Sequence, residues 1–369
     1  MTELNLSEEE RLYFSLKGLF ESYGYSRFQM RRFEEYSLYL ENLNFLKSRD
    51  IITFGGRDGR LLALKPDVTL SIVKNCKGSE EKQRKVYYRE SVYRPDRPGG
   101  QFREISQIGL EYIGDVDSYA QLEVLFLASE SLAAIGGGYV MDVSHMGALE
   151  GIANSCGMDS LPDEVFGCMR ARNLHDLKEV CISCGMGEDA AGKLRTLLSA
   201  GGSNKKKLTV LRSLFPESAK CLAAADELEE LLNALGEEST AFGIDFSLLN
   251  DPAYYNGVIF QGYIEKFPRA VLSGGRYDNL VKKFGAGKGG AGFALYPDEL
   301  DFYFKKSRKY DADALVLYSE NAAPAEVLKA VKKLSGEKKR VLASSSVPEG
   351  KRFKTIITVS YTHLTLPTT

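Results

Sequence analysis

The sequence predicts an α+β fold: a mostly antiparallel sheet flanked by helices, with a helical insertion and a short C-terminal α/β unit. Three observations predict it. Two β-type runs, 86–93 and 102–113, are joined by a loop rich in proline and glycine, which is typical of a hairpin. Residues 147–236 are rich in Ala, Leu and Glu and carry short helical patterns. Residues 311–358 alternate strand and helix patterns.

The same changes of composition predict the domain boundaries. We expect the first part of the sheet core at 1–146, the helical insertion at 147–240 and the second part of the core at 241–308. The α/β unit is expected at 309–359. Residues 360–369 are rich in Thr and Pro and continue no pattern, so we interpret them as an artefactual tail.

Length and charge limit the classes of function. A chain of 369 residues that is 44% hydrophobic can bury a large core, and its net charge of -2 gives no broad basic face for nucleic acid. The N-terminus is polar and acidic, which predicts no signal peptide, and no apolar run is long enough to span a bilayer. Six cysteines without a framework spacing favour a reducing cytoplasm, so we expect a cytoplasmic protein without a membrane partner.

Local patterns place the individual elements. Ser7 and Glu10 form a capping box at the start of a helix predicted over 7–23, which Gly24 can end. Further helices are predicted over 67–75 and 117–135, and strands over 61–64 and 139–145. In the insertion, we expect helices at 162–171, 173–182, 188–200 and 216–235, with 201–207 as a solvated loop.

Three polar groups stand out but do not predict a metal or a nucleotide. His145 ends a strand, where a structural histidine is more common than a ligand. Cys181 and Cys184 form a lone C-x-x-C, and zinc needs four ligands, so packed thiols are the favoured interpretation. The glycine-rich run 285–292 lacks the order of a Walker A loop and is interpreted as a mobile connection into a strand at 291–296.

Polar residues alternate along the second strand of the hairpin. Period two puts Gln107, Gly109 and Glu111 on one face, with Arg103, Ile105 and Ile113. A buried carboxylate needs a partner, and a cationic ligand can be that partner. The alternative is an ordinary half-solvated strand.

The spacing of these residues carries a resemblance to a known family. The matching positions are Tyr93-Arg94, Arg97-Pro98, Gly100, Arg103-Glu104, Gln107, Gly109 and Glu111. They resemble motif 2 of the class II aminoacyl-tRNA synthetases in its histidyl form. The segment 30–36 is similar to motif 1, which builds the dimer interface of that family, although Arg31 stands where motif 1 has proline.

Two further segments extend the resemblance to a substrate pocket. Lys65 to Thr69 resembles the R-P-E/D-x-T segment, whose acid and threonine bind the ammonium group of the amino acid; the alternative is a turn in which Asp67 caps a helix. Tyr254-Tyr255 and the run 273–278 resemble the two histidine-recognition motifs of histidyl-tRNA synthetase. The resemblance implies a histidine-like pocket of eight residues: Asp67, Thr69, Arg94, Gln107, Glu111, Tyr254, Tyr255 and Tyr277.

Three positions depart from a working ligase. The catalytic arginine of the family falls on Asn250, and the motif 3 arginine falls on Glu299, beside Asp298. A neutral amide and two carboxylates do not stabilise the negative charge of a nucleotide triphosphate. Pro297 is expected to interrupt the start of the motif 3 helix.

A kept amino-acid pocket without an ATP site resembles the regulatory subunits of ATP phosphoribosyltransferase, which are histidyl-tRNA synthetase paralogues. The resemblance implies a non-catalytic subunit without a cofactor, which forms a homodimer inside a hetero-oligomer with the short-form catalytic subunit. Histidine is the implied feedback ligand, and tRNA is not expected as a partner. A histidine–tRNA ligase and another synthetase-like amino-acid-binding protein remain alternatives.

Overall fold

The computed structural model describes residues 6–46, 50–76, 83–95, 99–300, 304, 310–360 and 364–365. The chain forms two compact units. The larger unit is Phe14–Glu299, and the smaller one combines Met1–Tyr13 with Leu300–Thr369. The domain boundaries expected from the sequence stay a prediction.

An eight-stranded sheet forms the centre of the larger unit. Its strands are β1 Ser26–Arg27, β5 Gln83–Pro95, β6 Phe102–Gly114, β7 Tyr139–His145, β8 Phe242–Ile244, β9 Val258–Ile264, β10 Leu272–Arg276 and β11 Gly289–Leu295. The strand order is β1-β5-β6-β11-β10-β9-β7-β8, and only the two outer pairs are parallel. A small sheet contains β2 Phe33–Glu35, β3 Thr53–Gly55 and β4 Leu61–Leu64. The predicted antiparallel sheet flanked by helices is confirmed.

Helices cover this sheet and fill the segment between β7 and β8. They are α1 Glu8–Ser22, α2 Tyr36–Leu40, α3 Thr69–Asn75, α4 Ser118–Ala133, α5 Met146–Ser155, α6 Asp163–Arg170, α7 Leu177–Ser183, α8 Gly187–Leu198, α9 Asn204–Leu214, α10 Ala219–Leu235 and α11 Asp278–Phe284. The predicted capping box is present, since Ser7 Oγ accepts from the Glu10 N–H and Glu10 Oε2 accepts from the Ser7 N–H. The Asp117 side chain caps α4.

The hairpin of β5 and β6 is longer than its sequence pattern indicates. The two strands pair without a break from Gln83 opposite Gly114 to Pro95 opposite Phe102. Of the motif 2 positions, Arg97 and Pro98 lie outside the described residues. The unbroken register matters because it fixes which side chains of the two strands share a face.

Two expectations about loops hold only in part: residues 201–203 and 285–288 lie outside helices and strands, but the next element begins earlier than expected. Residues 201–207 were expected as a solvated loop, but α9 begins at Asn204 with Ser203 as its N-cap, because Leu208 and Leu211 on its inner side are buried. The glycine-rich run was expected to be a mobile connection, but β11 begins at Gly289. Its small residues allow close approach to the neighbouring side chains.

His145 is a structural residue of the larger unit. Its Nδ1 accepts a hydrogen bond of 3.0 Å from the Gly147 N–H and caps α5, so the other ring nitrogen, Nε2, carries the proton. Nε2 lies 3.0 Å from an oxygen of Glu227 on α10. The histidine therefore ties the end of β7 to α10.

The smaller unit contains a four-stranded sheet with the order β13-β12-β14-β15. Its elements are β12 Ala312–Tyr318, α12 Pro324–Gly336, β13 Val341–Ser344, β14 Phe353–Val359 and β15 Leu364–Thr365. Val316, Leu334 and Val359 belong to its apolar core. In both units, no described helix is long and apolar enough to cross a membrane.

Candidate functional site

The middle of the eight-stranded sheet forms the floor of a cavity. Gln107, Gly109 and Glu111 alternate on one face of β6. On β11, Gly292 pairs with Glu111 and Ala294 pairs with Gly109. The floor is therefore built from neighbouring strands whose registers are fixed by backbone hydrogen bonds.

All eight residues of the predicted pocket line this one cavity. They come from the turn before α3 and its first residue, from β5 and β6, from the loop before β9 and from the residue between β10 and α11. Six further lining residues were not predicted from the sequence: Tyr88, Ser273, Gly292, Phe293, Ala294 and Tyr296. The structure thus brings the predicted set together, and its role in binding a ligand stays a prediction.

Two glycines let the side chains of the cavity pack against bare backbone. A Cβ at Gly109 would lie 2.6 Å from the Tyr88 hydroxyl, and a Cβ at Gly292 would lie 1.8 Å from Oε2 of Glu111. Both distances are far below van der Waals contact, so any side chain at either position would displace a wall of the cavity.

Glu111 is the buried carboxyl group at one end of the floor. Only 2% of the residue is exposed, and Thr69 Oγ1 donates to its Oε1 at 2.6 Å. The hydroxyl of Tyr277 donates to the other oxygen. Burial outweighs these hydrogen bonds and, with the nearby charge of Asp67, raises the pKa of Glu111 to about 8. The carboxyl group is therefore mostly protonated at neutral pH.

A buried ion pair holds the Asp67–Thr69 segment beside β5. Lys65 is fully buried and pairs with Glu90, while its carbonyl oxygen accepts a hydrogen bond of 2.9 Å from the Tyr93 N–H. Asp67 also accepts from the Leu70 N–H at 2.8 Å. Asp67 therefore lines the cavity and caps α3, so the two interpretations of this segment are compatible.

Three tyrosines form one wall of the cavity. The ring centroids of Tyr254 and Tyr255 are 4.6 Å apart, and those of Tyr254 and Tyr277 are 5.9 Å apart. Burial, together with the charge of Glu111, raises the pKa of each tyrosine well above its ordinary value. The wall thus presents neutral hydroxyl groups, which can donate or accept hydrogen bonds.

Arg94 lies near the far end of β5, away from Glu111. It is 9% exposed and lines the cavity, and it forms no hydrogen bond or ion pair with a residue that the structure describes. A buried guanidinium without such a partner is suited to bind an anion. The remaining space is about 30 Å³, which holds one or two water molecules. A ligand the size of histidine requires the lining side chains to move apart.

The two positions that differ from a ligase lie outside this cavity. The Asn250 side chain accepts from the Asp251 N–H at 2.9 Å, and Glu299 lies 3.6 Å from Arg269 on the surface. Asp298 accepts a hydrogen bond of 2.8 Å from the Ser106 N–H of β6. Glu299 therefore pairs with Arg269, and Asp298 with the backbone of β6. The loss of the ligase role at positions 250 and 299 stays a prediction.

Pro297 does not interrupt a helix. Residues 297–300 are helical, and Pro297 is the first of them. Proline is favoured at this position because its missing N–H has no partner in the first turn and its φ angle already suits the helix. The expected interruption is therefore wrong.

The cysteines and histidines do not assemble into a metal site in the described part of the chain. No three His, Cys, Asp or Glu side chains there are placed to hold a metal ion. Cys181 is buried, and Cys184 is half-buried with its sulfur 3.9 Å from a carboxylate oxygen of Glu164.

Comparisons with known proteins agree with this architecture. The family model described as histidyl-tRNA synthetase matches residues 3–300. The chain belongs to the histidyl-tRNA synthetase family. It is 31% identical over 310 residues to an ATP phosphoribosyltransferase regulatory subunit from Symbiobacterium thermophilum, covering 79% of this chain and 74% of the relative. It is 28% identical over 274 residues to a histidine–tRNA ligase from Methanocaldococcus jannaschii, covering 73% of this chain and 65% of the ligase. The resemblance inferred from the motifs is confirmed.

Solved structures show the same fold. A regulatory subunit/histidyl-tRNA synthetase from Bacillus halodurans superposes with a TM-score of 0.77 at 21% identity, covering 96% of this chain and 94% of that chain. A chain of the ATP phosphoribosyl transferase (HisG:HisZ) complex from Thermotoga maritima superposes with a TM-score of 0.61 at 21% identity, covering 78% and 97%. The class II synthetase-like fold is thereby established.

Proposed function

We propose that this chain is the non-catalytic regulatory subunit of an ATP phosphoribosyltransferase and that it binds histidine in the cavity of the larger unit. One observation supports this most: a buried carboxyl group and a buried guanidinium lie toward opposite ends of one cavity. A free amino acid with a basic side chain offers a carboxylate at one end and a donor at the other. The chain would then report histidine to the first step of histidine biosynthesis.

The proposed pose follows the order of the lining residues. Arg94 binds the ligand carboxylate in a bidentate manner. Asp67 and Gln107 accept hydrogen bonds from the ammonium group. Glu111 and the wall of Tyr254, Tyr255 and Tyr277 contact the imidazole. Thr69 orients Glu111 through the hydrogen bond already present.

The partners follow from the same proposal. The short-form catalytic subunit of ATP phosphoribosyltransferase is the expected partner, within a cytoplasmic hetero-oligomer that contains a homodimer of this chain. No cofactor and no tRNA take part. The neutral Asn250 and the acidic Glu299, in place of the two arginines of a ligase, support the absence of independent aminoacylation.

Calorimetry with free L-histidine tests the pocket. We expect binding to the wild type, and about a 30-fold to 100-fold loss of affinity in Arg94→Ala or Glu111→Ala, because each removes a charged or hydrogen-bonded contact worth roughly 2–3 kcal/mol. Glu104→Ala, an exposed carboxylate on the same strand as Glu111, is the matched control and should bind like the wild type. Absence of heat with the wild type would contradict the proposal.

Reconstitution tests the partner. We expect a short-form catalytic subunit to gain phosphoribosyltransferase activity when this chain is added, and histidine to inhibit the mixture but not the catalytic subunit alone. Arg94→Ala should still activate and should lose the inhibition at wild-type histidine concentrations. Activation that is absent at every ratio of the two chains would contradict the assignment of this partner.

A histidine–tRNA ligase is the second candidate, because the family model and the Methanocaldococcus jannaschii relative carry that name. A ligase predicts histidine-dependent exchange of pyrophosphate into ATP and charging of tRNA. We expect neither activity. Either one, lost in Glu111→Ala, would replace the regulatory assignment with an active ligase.

A further inference from the structure

The segment that follows β11 is fastened to the strands on both sides of β11. The Tyr296 N–H donates to the Val271 carbonyl at 2.8 Å, and the Tyr296 hydroxyl lies 2.8 Å from the Ser273 hydroxyl on β10. On the other side, Asp298 accepts from the Ser106 N–H of β6 at 2.8 Å. The residues Tyr296–Asp298 therefore form a bar across the end of β11.

The strand registers place this bar at one end of the cavity. Gly292 pairs with Glu111, and Ala294 pairs with Gly109, so Tyr296 lies two residues further in the direction of Gln107. At about 3.3 Å per residue, this is roughly 13 Å from Gly292 along the strand. Tyr296 thus lies at one end of the floor, and Glu111 lies at the other end.

Three lining residues close to this bar reach the solvent. The floor residues Gln107 and Glu111 are buried, whereas Ser273, Ala294 and Tyr296 are only half-buried although they line the same cavity. The ring of Tyr296 therefore lies at the mouth and not in the core. Its hydroxyl bond to Ser273 fixes the ring at that position.

We propose that Tyr296, held by Ser273, limits the ligand to a small free amino acid by blocking any larger group attached to the ligand carboxyl carbon. The inference rests on the proposed function, in which Arg94 binds the carboxylate near this end. A substituent on the carboxyl group, as in an ester, an amide or a mixed anhydride with a nucleotide, must pass the ring of Tyr296. The residue determines specificity by exclusion, which requires no new attraction.

A matched pair of ligands separates size from charge. L-Histidinamide and L-histidine β-naphthylamide both lack the carboxylate, so both lose the ion pair with Arg94 to the same extent, and only the second carries a bulky group. Ligand-observed NMR titration measures weak binding of each to the full chain. We expect the wild type to bind the small amide at least about tenfold more tightly than the naphthylamide.

Three variants test whether the ring of Tyr296 blocks large groups on the ligand. Tyr296→Ala should reduce that ratio to within about threefold of unity, because the mouth becomes open, whereas Tyr296→Phe keeps the ring and should keep most of the discrimination. Tyr296→Leu shortens the side chain while retaining apolar bulk, and it gives the same readout if the alanine variant does not fold. Free L-histidine should bind all folded variants.

The outcomes distinguish the proposed role of Tyr296 from the proposed binding of histidine. If the wild type binds histidine but accepts both amides equally, or if folded Tyr296→Ala and Tyr296→Leu keep the wild-type ratio, the role of Tyr296 is refuted and histidine binding stands. If neither the wild type nor any variant binds histidine, both the proposed function and the proposed role of Tyr296 are refuted.

Discussion

Replacing the buried carboxyl group by an amide should change how the stability of the larger unit depends on pH. The pKa of Glu111 is about 8 in the folded chain against an ordinary 4.5. The folded chain therefore retains a proton that the unfolded chain releases as the pH rises above 4.5. Rising pH therefore lowers the free energy of unfolding between about pH 4.5 and pH 8. The loss of stability is complete once the pH has passed the pKa of the folded chain.

The magnitude follows from the two pKa values. One pKa unit corresponds to about 1.4 kcal/mol, so the full difference is about 5 kcal/mol, of which about 3 kcal/mol falls between pH 5 and pH 8. Glu111→Gln has almost the same shape and does not titrate, so this part of the pH dependence should disappear. The free energy of unfolding of Glu111→Gln, measured relative to that of the wild type, should therefore be about 3 kcal/mol higher at pH 8 than at pH 5.

Urea unfolding at pH 5, 6, 7 and 8 measures the effect as the free energy of unfolding of each chain. Glu104→Gln is the matched control, since Glu104 lies on the same strand but is exposed, and it should keep the wild-type pH dependence. Parallel curves for the wild type and Glu111→Gln would refute the raised pKa and, with it, the neutral carboxyl group in the unliganded cavity.

Three further predictions concern stability and binding. Gly292→Ala should cost about 3 kcal/mol because its Cβ overlaps Glu111 and the Leu110 carbonyl, whereas Gly167→Ala, with no atom within 4 Å, should stabilise helix α6 by about 0.5–1 kcal/mol; urea unfolding measures both. His145→Ala should lose about 2 kcal/mol in the same assay, because the cap of α5 and the contact with α10 both disappear. Histidine affinity should peak between about pH 6.5 and 8 in calorimetry, because the ligand imidazole and Glu111 together hold one proton in that window; a maximum outside it would contradict the proposed pose.

The motifs predicted the cavity better than the periodic patterns did. Glu111, Gln107 and Arg94 could be assigned because strand alternation and motif spacing agree along the hairpin. Tyr88 was missed because it follows Val86 and Tyr87, and three successive apolar or aromatic residues show no alternation, although its cross-strand partner Gly109 could have pointed to it. Tyr296 was missed although it was expected to end the strand 291–296. In the structure β11 ends at Leu295, and the Tyr296 hydroxyl lies 2.8 Å from the Ser273 hydroxyl, a contact that period two does not predict.

The partners of the charged side chains could not be predicted from the sequence. Nothing in it indicates that Arg269, thirty residues before Glu299, lies close enough to pair with that carboxylate. The lysine run 205–207 was expected in a solvated loop, and its lysines are exposed or half-exposed although they lie in the first turn of α9. Burial of Leu208 and Leu211 decided the helix, which shows that packing overrides local polarity.

The cavity joins two distant parts of the chain. The lining residues on β5 and β6 precede the helices α5 to α10, whereas the half of the floor on β11, the tyrosine wall and the Tyr296 bar follow them. A ribosome therefore makes β5 and β6 long before the rest of the lining, and the cavity is incomplete until β10 and β11 have taken their places between β6 and β9. If histidine binds as proposed, it holds the early and late parts of the sheet together and adds stability only to chains in which both parts have folded.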